Sequence, residues 1–313
     1  MTGYLMKKTM TEQLSLEGIE QQKVSGSNHP GFTRRRTDLR HGDRDQLDIP
    51  AAQEAPLVSV FTLGRFSLLL NGKAPEFSRK APQRPLELLK AIVALGGREV
   101  STTSLMSALW PDADGDVAQR SFDTTLHRLR KILGDRRVLV LKEGKLSLDA
   151  NYCWVDVWSF ERLLGQSNRL LMSDVTGKHV FSVGCLTENL TNQYHDHFLA
   201  KEDLTSWSVS MHERLRSKFI HHLLEVGRYL EKNGCWEQAM RCYRKGIDVD
   251  DLVEVFYQRL MICCLETDCQ SEGLLVYRRC VQVLSVALGL QPEPETESLY
   301  QSLKASRLEK QVA

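Results

Sequence analysis

Two stretches of this chain repeat one spacing of small and aromatic residues thirty-four positions apart. Gly227, Gly234, Trp236, Ala239, Tyr243, Gly246 and Ile247 mark the first. Met261, Asp268, Gln270, Gly273, Tyr277, Cys280 and Val281 mark the second. A period of that length suits a pair of helices that cannot bury its apolar side alone and must stack on a neighbour. Small residues at the crossings let the helices approach closely. The second copy is degenerate, because Asp268 and Gln270 replace the turn glycine and its aromatic. The C-terminal half is therefore expected to be an all-α array.

The length of 313 residues suggests about two domains, and 42% hydrophobic residues suffice for real cores. The net charge of +1 hides an asymmetry. Residues 57–156 hold fifteen Lys/Arg against eleven Asp/Glu, the rest of the chain beyond them eighteen against twenty-one, and 118–145 alone eight against three. Positive charge focused on one segment is what a nucleic-acid footprint requires. The eight cysteines form no CxxC pair, so reduced, mostly buried thiols are expected and no metal site. The N-terminus lacks a signal-peptide core and no apolar run reaches membrane-spanning length, which predicts a cytoplasmic protein with no membrane partner.

Residues 1–56 are poor in aromatics and rich in Ser, Gly, Asp and Arg, a composition expected to give a tail without fixed structure. A short helix within Met1–Val24 is the alternative there. Arg34, Arg35 and Arg36 read as solvated charges beside Asp38, Asp43 and Asp45, with phosphate contact as the alternative. From Val58, VSVFTLGRFSLLLNGK predicts two short strands joined at Leu63-Gly64, with a turn at Asn71-Gly72. PLELLKAIVALGG predicts a first helix with Pro85 in its first turn, and Ser101 or Thr102 caps a second that ends at Pro111. Val138–Leu141 and Lys145–Leu148 flank Glu143-Gly144 as a hairpin, and Tyr152–Val155 adds a strand.

Between them lies VAQRSFDTTLHRLRKILG, residues 117–134. Phe122, Leu126, Leu129 and Leu133 recur on one helical face, with Asp114 or Asp116 placed to cap and Gly134 to stop. Arg120, Thr124, Thr125, His127, Arg128, Arg130 and Lys131 are assigned to the opposite face. Such a helix has the composition to lie in a DNA major groove, Arg chelating guanine edges or phosphates and Thr and His making shorter contacts. Read alone, it also fits a solvated surface helix.

Strands, three helices and a hairpin in this order give an α+β winged helix-turn-helix. Residues 57–153 resemble the DNA-binding domain of OmpR/PhoB-type regulators, and more closely the version in the bacterial SARP/AfsR family. The resemblance rests on VFTLGRFSLLLNGK, KAPQRPLELLKAIVALGGREVS, LMSALWP, TLHRLRKILG and KLSLDANYCWVDVWSFERLL, in that order. It implies that helix 117–134 reads DNA and that hairpin 138–148 is the wing. It further implies that Trp110 packs beside the reader and donates its indole N–H to a phosphate, with a purely core role as the alternative. Thr124, Thr125, His127 and Arg128 then suit base contacts, and Arg120, Ser121, Arg130 and Lys131 suit phosphates. Lys142 and Lys145 stand at the wing tip, placed to reach the adjacent minor groove or backbone, although Glu143 between them counts against that contact. His127 stands where relatives carry Arg or Ser, so base preference does not carry over.

Residues 154–313 resemble the family's bacterial transcriptional activation domain, a tetratricopeptide-like array. WVDVWSFERLL, SVSMHERLRSKFIHHL and YRRCVQVLSVALGLQPEPETESLY carry the resemblance along with the repeats, in which Asp251 replaces the usual Pro. Residues 165–207 resist alignment and are expected to hold helices of the same array. The family resemblance implies an activator on double-stranded promoter DNA, bound to direct repeats as a head-to-tail homodimer and touching RNA polymerase. An unidentified effector on the helical part is compatible with this. No P-loop, HExxH or GxSxG occurs, and His195, His197, His212, His221 and His222 show no ligand spacing. No enzyme activity, cofactor or metal is expected. The rival reading is an adaptor whose winged helix binds protein, disfavoured by the basic reader face.

Overall fold

A computed structural model describes residues 56–77, 81–174 and 177–312, of which 307–312 are given by their backbone. The expectations for the first fifty-five residues, Arg34 to Arg36 included, lie outside this range. The described part opens with strands β1 (Val58–Phe61) and β2 (Ser67–Leu70), paired antiparallel. Val58, Val60 and Leu68 turn inward while Ser59, Phe61, Ser67 and Leu69 take the other face, the period-two alternation of a half-buried sheet. Asn71 (φ 48°) and Gly72 (φ 76°) turn the chain after β2 through left-handed backbone, which Asn and Gly adopt most cheaply. Strand β6 (Cys153–Val155) returns parallel to β1 and completes a three-stranded sheet of order β2-β1-β6.

Between β2 and β6 come helices α1 (Gln83–Ala94), α2 (Thr102–Leu109) and α3 (Gly115–Leu133). Strand β3 (Val100–Ser101) precedes α2, and the hairpin β4 (Leu139–Lys142) and β5 (Lys145–Leu148) follows α3. A second sheet runs β3-β5-β4, all antiparallel. Glu143 (φ 49°) and Gly144 (φ 71°) make its two-residue turn. Ser101 occupies the N-cap of α2 and Asp114 that of α3, but neither side chain makes a capping bond.

The rest is helical: α4 (Asp156–Ser173), α5 (Val180–Gln193), α6 (Ser206–Lys232), α7 (Trp236–Val249), α8 (Glu254–Glu266), α9 (Gln270–Leu288) and α10 (Pro294–Val312). From α6 on, each helix packs on the next, as stacked pairs require. The thirty-four-residue period is visible in the backbone. Cys235 N–H bonds to Leu230 O and Cys269 N–H to Cys264 O, both at 2.8 Å, closing α6 and α8 alike. Gly234 has φ 72° at that turn and Asp268 has φ 60°, so the aspartate adopts the glycine's left-handed backbone. A Cβ on Gly227 would meet the Tyr243 ring at 2.3 Å, and one on Gly246 would meet Phe256 at 2.3 Å. Glycine at these crossings lets α6 approach α7, and α7 approach α8.

The two halves share one core and are joined at several points. Asp156, the first residue of α4 and 3% exposed, accepts bonds from the N–H groups of Thr62, Leu63 and Val157 and from the Thr62 hydroxyl. Burial pushes its pKa up, and the four donors oppose that shift. The segment after α5 lies beside the β1–β2 connection: Gly64 N–H bonds to His197 O (2.9 Å), Leu199 N–H to Thr62 O (2.8 Å) and Ala200 N–H to Gly64 O (3.1 Å). Lys90 of α1 reaches both oxygens of Glu202 at 2.5 and 2.6 Å and lies over the Phe66 ring. Trp158 of α4 packs against Gly97, where a Cβ would stand 2.6 Å from its ring.

Candidate nucleic-acid interface

Helix α3 is set by its buried stripe of Ala118, Phe122, Thr125, Leu126, Leu129 and Leu133, packed toward α1 and α2. Gly134 (φ 77°) ends it with its N–H on Arg130 O. Arg120, Thr124, His127, Arg128 and Lys131 are exposed, while Ser121 and Arg130 are half-buried. Thr125 corrects the sequence expectation. It is 7% exposed, and its hydroxyl donates to Ser121 O at 2.7 Å. Its position three after Phe122 and four before Leu129 puts it in the apolar stripe, a signal already present in the spacing.

The charges on this helix are little neutralised. Among the described residues Arg120, Arg128 and Lys131 have no ion-pair partner, and the Arg120 side chain bonds only to the backbone oxygen of Asp116. Two acids are exposed on α3: Asp116 in its first turn, and Asp123, which accepts two bonds from Gln119. Arg130 differs, since its Nε is buried without a partner among the described residues. Arg136, exposed just past α3 and likewise unpaired, was not singled out, although it contributed to the charge excess of 118–145. Arg137 is engaged by Asp135 at 2.7 Å, and its guanidinium holds that carboxyl below the ordinary range. Arg130 and Lys131 also stand in the last turn, where cations offset the helix dipole.

Trp110, the C-cap of α2, is half-buried against the core, with no hydrogen bond from its indole among the described residues. The hairpin turn lies against the start of α2, where Thr102 N–H bonds to Gly144 O (2.9 Å). Lys142 and Lys145 face each other across it. Each has a carboxylate 3.8 Å away, Glu143 and Glu99, in pairs open to solvent and therefore weak.

Among the described residues no group of three or more His, Cys, Asp or Glu is placed to hold a metal ion. His197 and His212 do meet, with ring centroids 4.8 Å apart, and Tyr194 OH lies 3.0 Å from His197 Nδ1. Five cysteines are buried, and burial raises the Cys153 and Cys242 thiols to about 12, keeping them protonated. No helix among the described residues is long and apolar enough to cross a membrane.

Residues 155–304 match the family model of the bacterial transcriptional activator domain, starting where β6 ends and α4 begins. Among solved structures, "Mycobacterium tuberculosis EmbR in complex with low affinity phosphopeptide" is similar, with a TM-score of 0.61 and 17% identity. The likeness covers 80% of this chain and 66% of that one, so the chain spans about two thirds of that protein's length and shares its fold. No curated protein matches the sequence. The helical half is thus a bacterial transcriptional activator domain in a tetratricopeptide-like array. That family model covers just under half of the chain, and the likeness to EmbR extends to the fold.

Proposed function

We propose that this regulator binds specific promoter DNA as an activator, with residues 57–153 as a winged helix-turn-helix of the OmpR/PhoB type and 154–313 as the activation domain. The observation that carries the reading is the exposed face of α3, on which Arg120, Arg128 and Lys131 project without ion-pair partners among the described residues. Unpaired cations on a helix held rigidly by its other face can be given to phosphates and base edges without first breaking a bond. Arg128, Thr124 and His127 are the base readers in this proposal. Arg120, Ser121, Arg130 and Lys131 are the phosphate contacts, with Trp110 and the wing lysines at the margin. By family analogy the protein binds direct repeats as a homodimer and presents its helical half to RNA polymerase.

The test is genome-wide binding by the tagged protein against an Arg128→Ala, Lys131→Ala double variant, followed by binding of the single variants in vitro. Discrete sites sharing a spaced repeat, lost in the double variant, are expected. Arg128→Ala should lose about 1–3 kcal/mol of discrimination between operator and random DNA. Lys131→Ala should weaken both and reduce the salt slope by about 0.9. Equal losses in the two single variants would remove the division into reader and positioner. A purified protein without salt-sensitive binding to any DNA would favour the adaptor.

A further inference from the structure

Cys263, Cys264 and Cys269 lie close together in the chain, and the fold sends them different ways. Cys263 is buried, and its thiol lies 3.7 Å from Glu231 Oε1, toward α6. Cys264, 0% exposed, faces α9, where a Cβ on Gly273 would stand 3.1 Å from its own Cβ. Cys269 is exposed and takes the N-cap of α9.

Cys264 and Cys269 are the two ends of the turn that closes α8. Cys269 N–H bonds to Cys264 O at 2.8 Å, and Asp268 N–H to Leu265 O at 3.3 Å. In a helix end closed by these two bonds the side chains at the outer positions commonly meet. The covalent lengths around the first bond hold the two Cα atoms at most about 6.7 Å apart, inside the range of about 4.4–6.8 Å that a disulfide spans. The Cys269 thiol is held only by a 3.5 Å contact with Thr267 O, and at an exposed position its χ1 rotates without moving a packed neighbour.

The first repeat supplies the comparison. Its turn has the same two bonds, Cys235 N–H to Leu230 O at 2.8 Å and Gly234 N–H to Glu231 O at 2.9 Å, but leucine holds the buried end. An apolar contact is all that turn can make, whereas the second repeat has a thiol at both ends. The two thiols also differ in access. Burial raises Cys264 to about 12, the charges of Glu272 and Cys269 pushing the same way, so it stays protonated and shielded from oxidants in solution. Cys269 is open to them. Cys264 is thus confined to reacting with a sulfur presented across the turn.

We propose that Cys269 and Cys264 are an oxidation site, forming a reversible disulfide in the turn between α8 and α9 on exposure to hydrogen peroxide. The Cys269 sulfur attacks one peroxide oxygen, the O–O bond breaks, and water leaves with the thiol proton as the sulfenic acid forms. The Cys264 sulfur then attacks the Cys269 sulfur, the S–OH bond breaks, and a second water leaves with the Cys264 proton. The two thiols lose two electrons and two protons, and the peroxide is reduced to water. A thiol reductant reopens the bond by attack on the exposed Cys269 sulfur. The bond would fix the end of α8 where three helices meet, since a Cβ on Gly273 would also stand 2.7 Å from Leu303 of α10. The site stands independently of how the chain engages DNA.

The experiment is a thiol map of the full chain, treated with hydrogen peroxide, quenched with catalase, unfolded in urea with N-ethylmaleimide and cut with trypsin. Cleavage after Arg259 and Arg278 leaves all three cysteines on the peptide 260–278. Three maleimide groups are expected on it before oxidation and one afterwards, on Cys263, with the loss reversed by dithiothreitol. Cys269→Ser, at an exposed position that leaves the core intact, should abolish the loss of labelling. Cys264→Ala should leave Cys269 as a sulfenic acid that dimedone traps; should that variant not fold, the wild-type map and Cys269→Ser decide alone. Three maleimide groups after oxidation overturn the proposal. So does a dimedone adduct on wild-type Cys269 with Cys264 still labelled, or a disulfide that includes Cys263 or a second chain.

Discussion

His222 should make the helical half acid-sensitive, and one substitution should remove that sensitivity. The residue lies on α6, 1% exposed, with Nδ1 3.0 Å from Asn168 Oδ1 and Nε2 buried without a partner among the described residues. Burial, with a smaller contribution from the charge of adjacent His221, lowers its pKa from 6.5 to about 4. The folded state therefore holds the imidazole neutral, while the unfolded chain takes up a proton near the ordinary value. Between these two pH values the unfolded state binds more protons, so stability is complete above 6.5 and is lost as pH falls toward 4. The full shift is worth about 3 kcal/mol, of which about 2 kcal/mol is lost between pH 7 and 5. Urea unfolding of wild type and His222→Gln at these two pH values isolates the term. The variant should be less stable at pH 7 but lose about 2 kcal/mol less than wild type on going to pH 5. His197, whose pKa burial also lowers, acts in the same direction and remains in both proteins. An unchanged pH dependence in His222→Gln, or an NMR titration placing the His222 imidazole near 6.5, would refute the reasoning.

Three further outcomes follow from the packing. Gly227→Ala drives a methyl into the Tyr243 ring, which is fully buried and tethered to Glu231 through its hydroxyl; a net loss of about 1–3 kcal/mol is expected by thermal unfolding despite alanine's better helix propensity. Asp156→Ala strands the buried N–H groups of Thr62 and Leu63. It should cost about 2–5 kcal/mol and speed hydrogen exchange at those two amides before the rest of the sheet. Thr125→Val should change stability by less than about 1.5 kcal/mol and leave DNA selectivity untouched, whereas Thr124→Val should leave stability unchanged and alter selectivity. A selectivity change confined to Thr125→Val in an operator-binding assay would put the wrong face of α3 on the DNA.

Elements whose signals are local were legible in the sequence. The hairpin at Glu143-Gly144, the turn at Asn71-Gly72, the stop at Gly134 and the thirty-four-residue period all depend on backbone conformation or helical spacing within a few turns. The exposed face of α3 was legible except at Thr125, which the three-and-four spacing buries despite its polarity, and at Arg130, which is half-buried with its Nε enclosed. Helix α3 also begins two residues earlier than expected, at Gly115, because Asp114 takes the N-cap by backbone geometry without a side-chain bond. What the sequence could not display was the junction. Asp156 is ninety-four residues from Thr62, and Lys90 one hundred and twelve from Glu202. A lone buried carboxylate has no periodicity to announce it. The segment 165–207, which resisted alignment, contains both α5 and the residues that bond to the β1–β2 connection.

That junction bears on how such a regulator can work. A domain on a free linker transmits nothing to its neighbour except local concentration. Here Thr62, Leu63 and Gly64 are held from the helical side by a carboxylate and by backbone bonds, and α1, which supports α3, is tied to Glu202 through Lys90. The Lys90 side chain is 12% exposed, so this pair is less screened than the open pairs on the hairpin. Any displacement of the segment 196–202 must therefore break backbone bonds to the β1–β2 connection or part a sheltered ion pair. The exposed face of α3 is thus fixed in orientation by contacts that the helical array itself supplies.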